Sequence, residues 1–140
     1  MNKLTIADYP LAETRPDQVK GNRGKTLAEI TLDAVIEGSV TMEDLRITPQ
    51  ALHNQAEIAR AAGRPTLALN FERGAELVEV PQDVIMAAYE LLRPGRATSK
   101  RQLLDAARNM RETYKAERIA CFIEEAAFTY EERGLFSFRF

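Results

Sequence analysis

The chain holds one histidine, His53, and one cysteine, Cys121, and most independent chemistry would have to start from these two side chains. A zinc site needs several protein ligands, so carboxylates would have to join that single imidazole and single thiol. A thiolate–imidazole nucleophile needs only that the two groups meet in space. Cys121, however, lies between Ala120 and Phe122 in a helical stripe, the common setting of a small buried thiol. His53 follows Leu52 at a helix edge and reads as a polar flank. The adjacent carboxylates Glu124–Glu125 and Glu131–Glu132 diverge on a helix and read as a solvated face with basic neighbours. The loop "GNRGK" at 21–25 is too short for a phosphate-binding loop and lacks the strand that precedes one. No catalytic, cofactor-binding or metal-binding residue is therefore expected on this chain.

Three other groups of residues suit contact with another protein. Tyr9, Pro10 and Leu11 form a compact apolar triplet in an otherwise polar opening segment. Asn70, Arg73 and Leu77 run along one face of "NFERGAEL". In "LLRPGR", Pro94 ends a helix and holds Arg93 and Arg96 on a tight turn, where guanidinium groups can grip carboxylates of a neighbouring surface. The alternative for the two arginines is simple solvation beside a helix C-terminus. Gly74, in mid-helix, gives up about 1 kcal/mol against alanine, which suggests close approach of some other backbone.

The elements that carry these residues read as all-α: a small multi-helix domain over 27–134, an extended N-terminal arm over 1–26, and an aromatic tail over 135–140. Pro10 and Pro16 remove two backbone donors from the arm and bias Tyr9 and Arg15 toward extended conformations. From Thr26 the pattern turns helical. Thr31 caps a short helix carrying Leu32, Val35 and Ile36 on one side and stopped by Gly38. Thr41 opens another short turn. Thr48-Pro49 opens a helix running to Gly63, with Leu52, Gln55, Ile58, Ala59 and Ala62 inward. Pro65 opens a helix extending toward Pro81, with Leu67, Phe71, Gly74 and Val78 inward, and a further helix ends at Pro94. Ser99 opens the last region, with Gln102 placed for a capping box.

That last region runs from Lys100 to Arg133 without glycine or proline. Straight, it would be ~50 Å long, longer than the roughly 37 Å diameter of a compact chain of this size. One apolar stripe holds Leu103, Ala107, Met110 and Tyr114; a second holds Ile119, Phe122, Ala126 and Tyr130. The buried side changes near 115–118, through a bend or through a change of partner, and one small core does not account for both stripes. In the tail, Phe136, Phe138 and Phe140 alternate with polar residues and need cover, from the parent domain or from a partner.

Composition narrows the partners. With 19 basic and 21 acidic residues the formal charge is -2, which disfavours a nucleic-acid binder. No stretch approaches the ~20 apolar residues that span a bilayer. A single cysteine fits a reducing cytoplasm.

The ordered blocks "DYPLA", "GKTLAEITLDAVIEG", "DLRITPQAL", "QAEIAR", "LALNFERGAELVEVP" and "YELLRPGRAT" resemble the small, or gamma, subunit of adenosylcobalamin-dependent diol and glycerol dehydratases, over about Asp8–Phe128. The resemblance implies a heterotrimer of large, medium and small subunits that pairs into a dimer of heterotrimers. It further implies a barrel-shaped large subunit holding substrate and metal ion, with adenosylcobalamin held between the large and medium subunits. This chain would pack on the large subunit, supply no catalytic side chain, and lay its "DYPLAETRP" arm along that subunit. The complex would dehydrate propane-1,2-diol or glycerol to an aldehyde by a radical route, the choice of diol lying in another chain. Neither nucleic acid nor membrane would be a partner. Only seven residues precede Asp8, so microcompartment association is expected through partner subunits rather than through this chain's own signal. Gly74 stands where the family usually has alanine, and Gly95 where it commonly has an aromatic. The residues taken alone also admit a free-standing helical adaptor.

Overall fold

The computed structural model of the chain describes residues 3–137. The fold is all-α. In chain order the helices are α1 (Leu11–Thr14), α2 (Leu32–Ile36), α3 (Met42–Leu45), α4 (Pro49–Ala61), α5 (Pro65–Leu77), α6 (Gln82–Leu92), α7 (Lys100–Tyr114) and α8 (Glu117–Glu132). Tight 3-10 turns at Ile6–Asp8, Pro16–Gln18 and Leu27–Glu29 join them. Among the described residues there is no strand, only an isolated antiparallel bridge between Lys20 and Thr26. The chain divides into two compact units, one up to Val78 and one from Glu79 onward, a different partition from an arm, one domain and a tail.

In the first unit, α4 and α5 form the main packed pair. Thr48 accepts a hydrogen bond from the Ala51 amide (3.1 Å), capping α4 with Pro49 in its first turn. Gly63 turns the chain with φ of 71°, which only glycine adopts without strain. Ala56, Ala59 and Ala68 are buried between the helices, with Leu67 and Phe71 packed around them. Arg60 pairs with Glu72 at 2.8 Å across the same seam. Nothing but side-chain methyls approaches Gly74: a Cβ there would meet Leu52 Cδ1 and Cδ2 at 3.7 and 4.0 Å, ordinary van der Waals contact. The close backbone approach expected at Gly74 occurs instead at Gly21, where a Cβ would collide with the Asp44 carbonyl.

The opening segment is not an extended arm. Leu4 and Leu11 are buried against Ile58 of α4, with Val19 alongside. Asp8 is the hub of this segment. Its Oδ2 accepts from the Thr5 amide (2.8 Å) and hydroxyl (2.9 Å), its Oδ1 from Arg15 Nε (2.6 Å), and its backbone carbonyl from Thr14 Oγ1 (2.6 Å). The Leu4 amide donates to Glu57 on α4 at 3.1 Å. Side chains thus satisfy backbone groups that a helix or sheet would otherwise pair, so the segment folds without any hydrophobic period.

In the second unit, α7 and α8 form an antiparallel hairpin. The break falls at Lys115, in the left-handed region at φ of 57°, followed by buried Ala116. A bend therefore resolves the change of stripe. Leu103, Ala107 and Met110 of α7 are buried as expected, but α8 buries Ala120, Ile123 and Ala127 rather than Ile119, Phe122, Ala126 and Tyr130. Small residues let the two helices approach, and the bulkier side chains stay at the margin, with Phe122 exposed. The same rotation puts Cys121 on the surface. Gln102 accepts from the amide of Thr98 (2.8 Å), not Ser99, so the cap begins one residue early. Phe136 packs edge-on against Tyr130, with centroids 6.2 Å apart; Phe138 and Phe140 lie outside the described residues.

Candidate functional site

The two reactive side chains belong to different units of the chain. His53 is exposed on α4. The Cys121 thiol donates to Glu117 Oε1 (3.4 Å) and accepts from Arg111 (3.8 Å). Arg111 also donates from Nε to Glu117 (2.8 Å) and makes a forked pair with Glu124 (2.6 and 2.9 Å). Those guanidinium hydrogen bonds hold both carboxyls below their usual range. The cluster thus staples α7 to α8, and Glu124 reaches across the hairpin rather than to neighbours on its own helix. Among the described residues, no group of three or more His, Cys, Asp or Glu side chains could hold a metal ion. No helix there is long and apolar enough to cross a membrane.

The residues expected to touch a partner have different fates. Tyr9 is exposed beside a groove of about 340 Å³ that also involves Ile6, Ile58, Ala62, Leu67 and Phe71. Pro10 is half-buried at the start of α1, and Leu11 is spent on this chain's own core. Leu11, 5% exposed and packed with Leu4 and Ile58, is a core residue of this chain and not the exposed contact residue expected. Asn70 is exposed and accepts from Arg73 at 3.2 Å; Arg73 and Leu77 are half-buried on α5. Arg93, Pro94 and Arg96 all lie exposed on the turn after α6, closed by the Arg96 amide donating to the Arg93 carbonyl at 3.1 Å. Both guanidinium groups reach the same carboxylate, Glu90, at 3.2 and 3.9 Å.

One feature of the first unit escaped sequence reasoning. Asp44 has a side chain with no exposed surface. Its Oδ1 accepts from Arg23 Nε (2.9 Å), and its Oδ2 from Arg23 Nη2 and the Thr41 amide (2.9 Å). Arg23 also donates to the Ser39 carbonyl at 3.0 Å. The Arg23 guanidinium, outweighing burial, lowers the Asp44 pKa to about 2. The available signal was Thr41-x-x-Asp44, a capping box with aspartate in the place of glutamate. This clamp fixes "GNRGK" against the segment 39–47 and turns the apolar side chains of α2 and α3 away from it. Leu32, Val35, Ile36, Met42, Leu45 and Ile47 are all exposed.

A surface built this way, with internal ion pairs and outward apolar side chains, suits contact with another surface. Residues 4–137 match the family described as dehydratase small subunit. The propanediol dehydratase small subunit of Citrobacter freundii is 48% identical over 128 residues, covering 91% of this chain and 74% of that protein. The propanediol dehydratase small subunit of Salmonella typhimurium strain LT2 is also 48% identical, with 91% and 73% covered. With nearly the whole chain matched and every region of both units included, this protein belongs to the dehydratase small-subunit family.

Proposed function

We infer that this chain is the small subunit of a diol dehydratase of the propanediol dehydratase type, a hydro-lyase. It takes no direct part in the chemistry and acts as a structural support for a large catalytic subunit, within a dimer of large–medium–small heterotrimers. The observation that carries the reading is the 48% identity to two propanediol dehydratase small subunits across 91% of the chain. The outward apolar side chains of the first unit support it, since such surface asks for cover. The complex converts 1,2-diols to aldehydes. Its working place is the cytoplasm, including a microcompartment that it would enter through partner subunits.

The residues of this chain do not fit adenosylcobalamin. The lone imidazole, His53, is exposed, and grooves of about 220 and 340 Å³ among the described residues are at the lower limit of sites for far smaller ligands. The cofactor is assigned to the large and medium subunits, and no chemical step is derived from this chain. Tyr9, Pro10, Asn70, Arg73, Leu77, Arg93, Pro94 and Arg96 remain proposed contact residues.

The test is omission. Large and medium subunits co-expressed with this chain should give a stable complex that forms aldehyde from propane-1,2-diol. Without this chain, assembly and activity should both fall sharply. Full activity in its absence defeats the reading.

A further inference from the structure

The segment 27–47 turns a few residues inward, a charged one among them, and most of its large apolar side chains outward. Val40 and Asp44 are buried, and Arg23 ties Ser39 and Asp44 to the preceding loop. The Val40 amide and the Ser39 hydroxyl both turn back to the Ala34 carbonyl (3.0 and 3.1 Å), closing the turn after α2. Meanwhile Leu32, Ile36 and Met42 are 74%, 73% and 73% exposed, and Leu27, Val35, Leu45 and Ile47 between 44% and 57%. Together these side chains present on the order of 400 Å² of apolar surface. That is the size of the largest patch on an ordinary monomer and about half of one partner's share of a standard interface.

The charges around this patch select the occupant. Residues 27–47 contain Glu29, Asp33, Glu37, Glu43 and Asp44 against Arg46 alone. Asp44 is neutralised by Arg23, and Arg46 pairs with Glu43 at 3.3 Å. Glu29 is tied to Thr26 and feels the charges of Lys20 and Lys25, which leaves Asp33 and Glu37 as the acidic border. A second copy of this chain meeting the patch through a two-fold axis would set those carboxylates against each other. A different chain, with an apolar recess bordered by lysine or arginine, fits.

We propose that the face formed by α2, α3 and their flanking residues Leu27 and Ile47 is the principal docking surface for the large dehydratase subunit, which meets it with a basic-bordered apolar recess. The proposal rests on the subunit reading above, and the experiment separates the two. The complex is co-expressed with wild-type chain, with the double variant Ile36→Glu/Met42→Glu, and with Asp33→Lys/Glu37→Lys. Wild-type chain co-purifies with the large subunit. The apolar double variant binds at least about a hundredfold more weakly, roughly tenfold for each lost anchor, while its far-ultraviolet circular dichroism is unchanged. The charge-reversed variant is weakened most at low salt.

Hydrogen–deuterium exchange of wild-type chain, alone and in the complex, serves as a measurement independent of any variant; amides in 32–47 gain protection on assembly. Wild-type-level co-purification of the apolar variant, or unchanged exchange in 32–47, overturns the docking face while leaving the subunit reading intact. Failure of wild-type chain to co-purify overturns the subunit reading itself. Self-association of isolated chain that Ile36→Glu/Met42→Glu abolishes would give the face to a second copy and overturn the proposal.

Discussion

Gly74→Ala is the sharpest single perturbation of this fold, because two physical pictures predict opposite signs. Were another backbone close to Gly74, a methyl group would collide and the protein would lose stability. Instead, a Cβ at this position meets only the Leu52 methyls, at 3.7 and 4.0 Å, and α5 continues through Gly74 to Leu77. The gain is then the difference in helix propensity between alanine and glycine, about 1 kcal/mol. Much of it comes from the smaller freedom of the unfolded chain. For a cooperative unit of this size that raises Tm by ~4–8 °C, read by far-ultraviolet circular dichroism of the isolated chain. The matched control is Gly21→Ala, whose Cβ runs into the Asp44 carbonyl, backbone that the Arg23 clamp holds in place. That variant should lose about 1–3 kcal/mol. An unchanged or lower Tm for Gly74→Ala, or a neutral Gly21→Ala, refutes the packing described here.

Deleting residues up to Arg15 should lower the Tm of the first unit, because it strips Leu4 and Leu11 from Ile58; an unchanged melt would mean that the segment is detachable. Arg111→Met should lower Tm by undoing the forked pair with Glu124 and the bond to Glu117. Arg111→Lys should restore only part of the loss, since an ammonium cannot make the forked contact; full rescue would reduce the cluster to simple charge proximity. Asp8, Glu29, Asp44, Glu117 and Glu124 all have pKa values lowered by hydrogen bonds in the folded chain. Their contribution to stability is therefore complete above the ordinary carboxyl range and is lost as pH falls through the lowered values, down to about 2 for Asp44. A Tm profile flat from about pH 5 upward and falling steadily below it is expected; a Tm that rises on acidification contradicts the assigned pairs.

Local signals were legible in the sequence. Thr31 and Thr48 do cap their helices, with the Ala34 amide at 3.2 Å and the Ala51 amide at 3.1 Å, because a cap depends on residues within one turn. The change of buried side near Lys115 likewise marked the hairpin break. The opening segment was not legible: its order comes from Asp8 and Glu57 satisfying amides at chosen points, and from two leucines meeting a residue more than forty positions away. Periodicity also misplaced the inner face of α8. That helix is apolar on two sides, and the selection of Ala120, Ile123 and Ala127 over Ile119 and Phe122 depends on how near α7 lies. The candidate contact surface was half visible. Leu32, Val35 and Ile36 could be seen to share a side, but their outward direction follows from Asp44 and Arg23 occupying the inward one.

The hairpin at Lys115 sets a timetable as well as a shape. Its two arms are neighbours along the chain, so few residues must be looped out before their first contacts form, and such connections close within microseconds. The hairpin can thus form ahead of the contacts that join distant parts of the chain. A partner subunit would then meet a ready-made helix pair instead of having to order one, leaving the entropic burden of association to the remaining contacts.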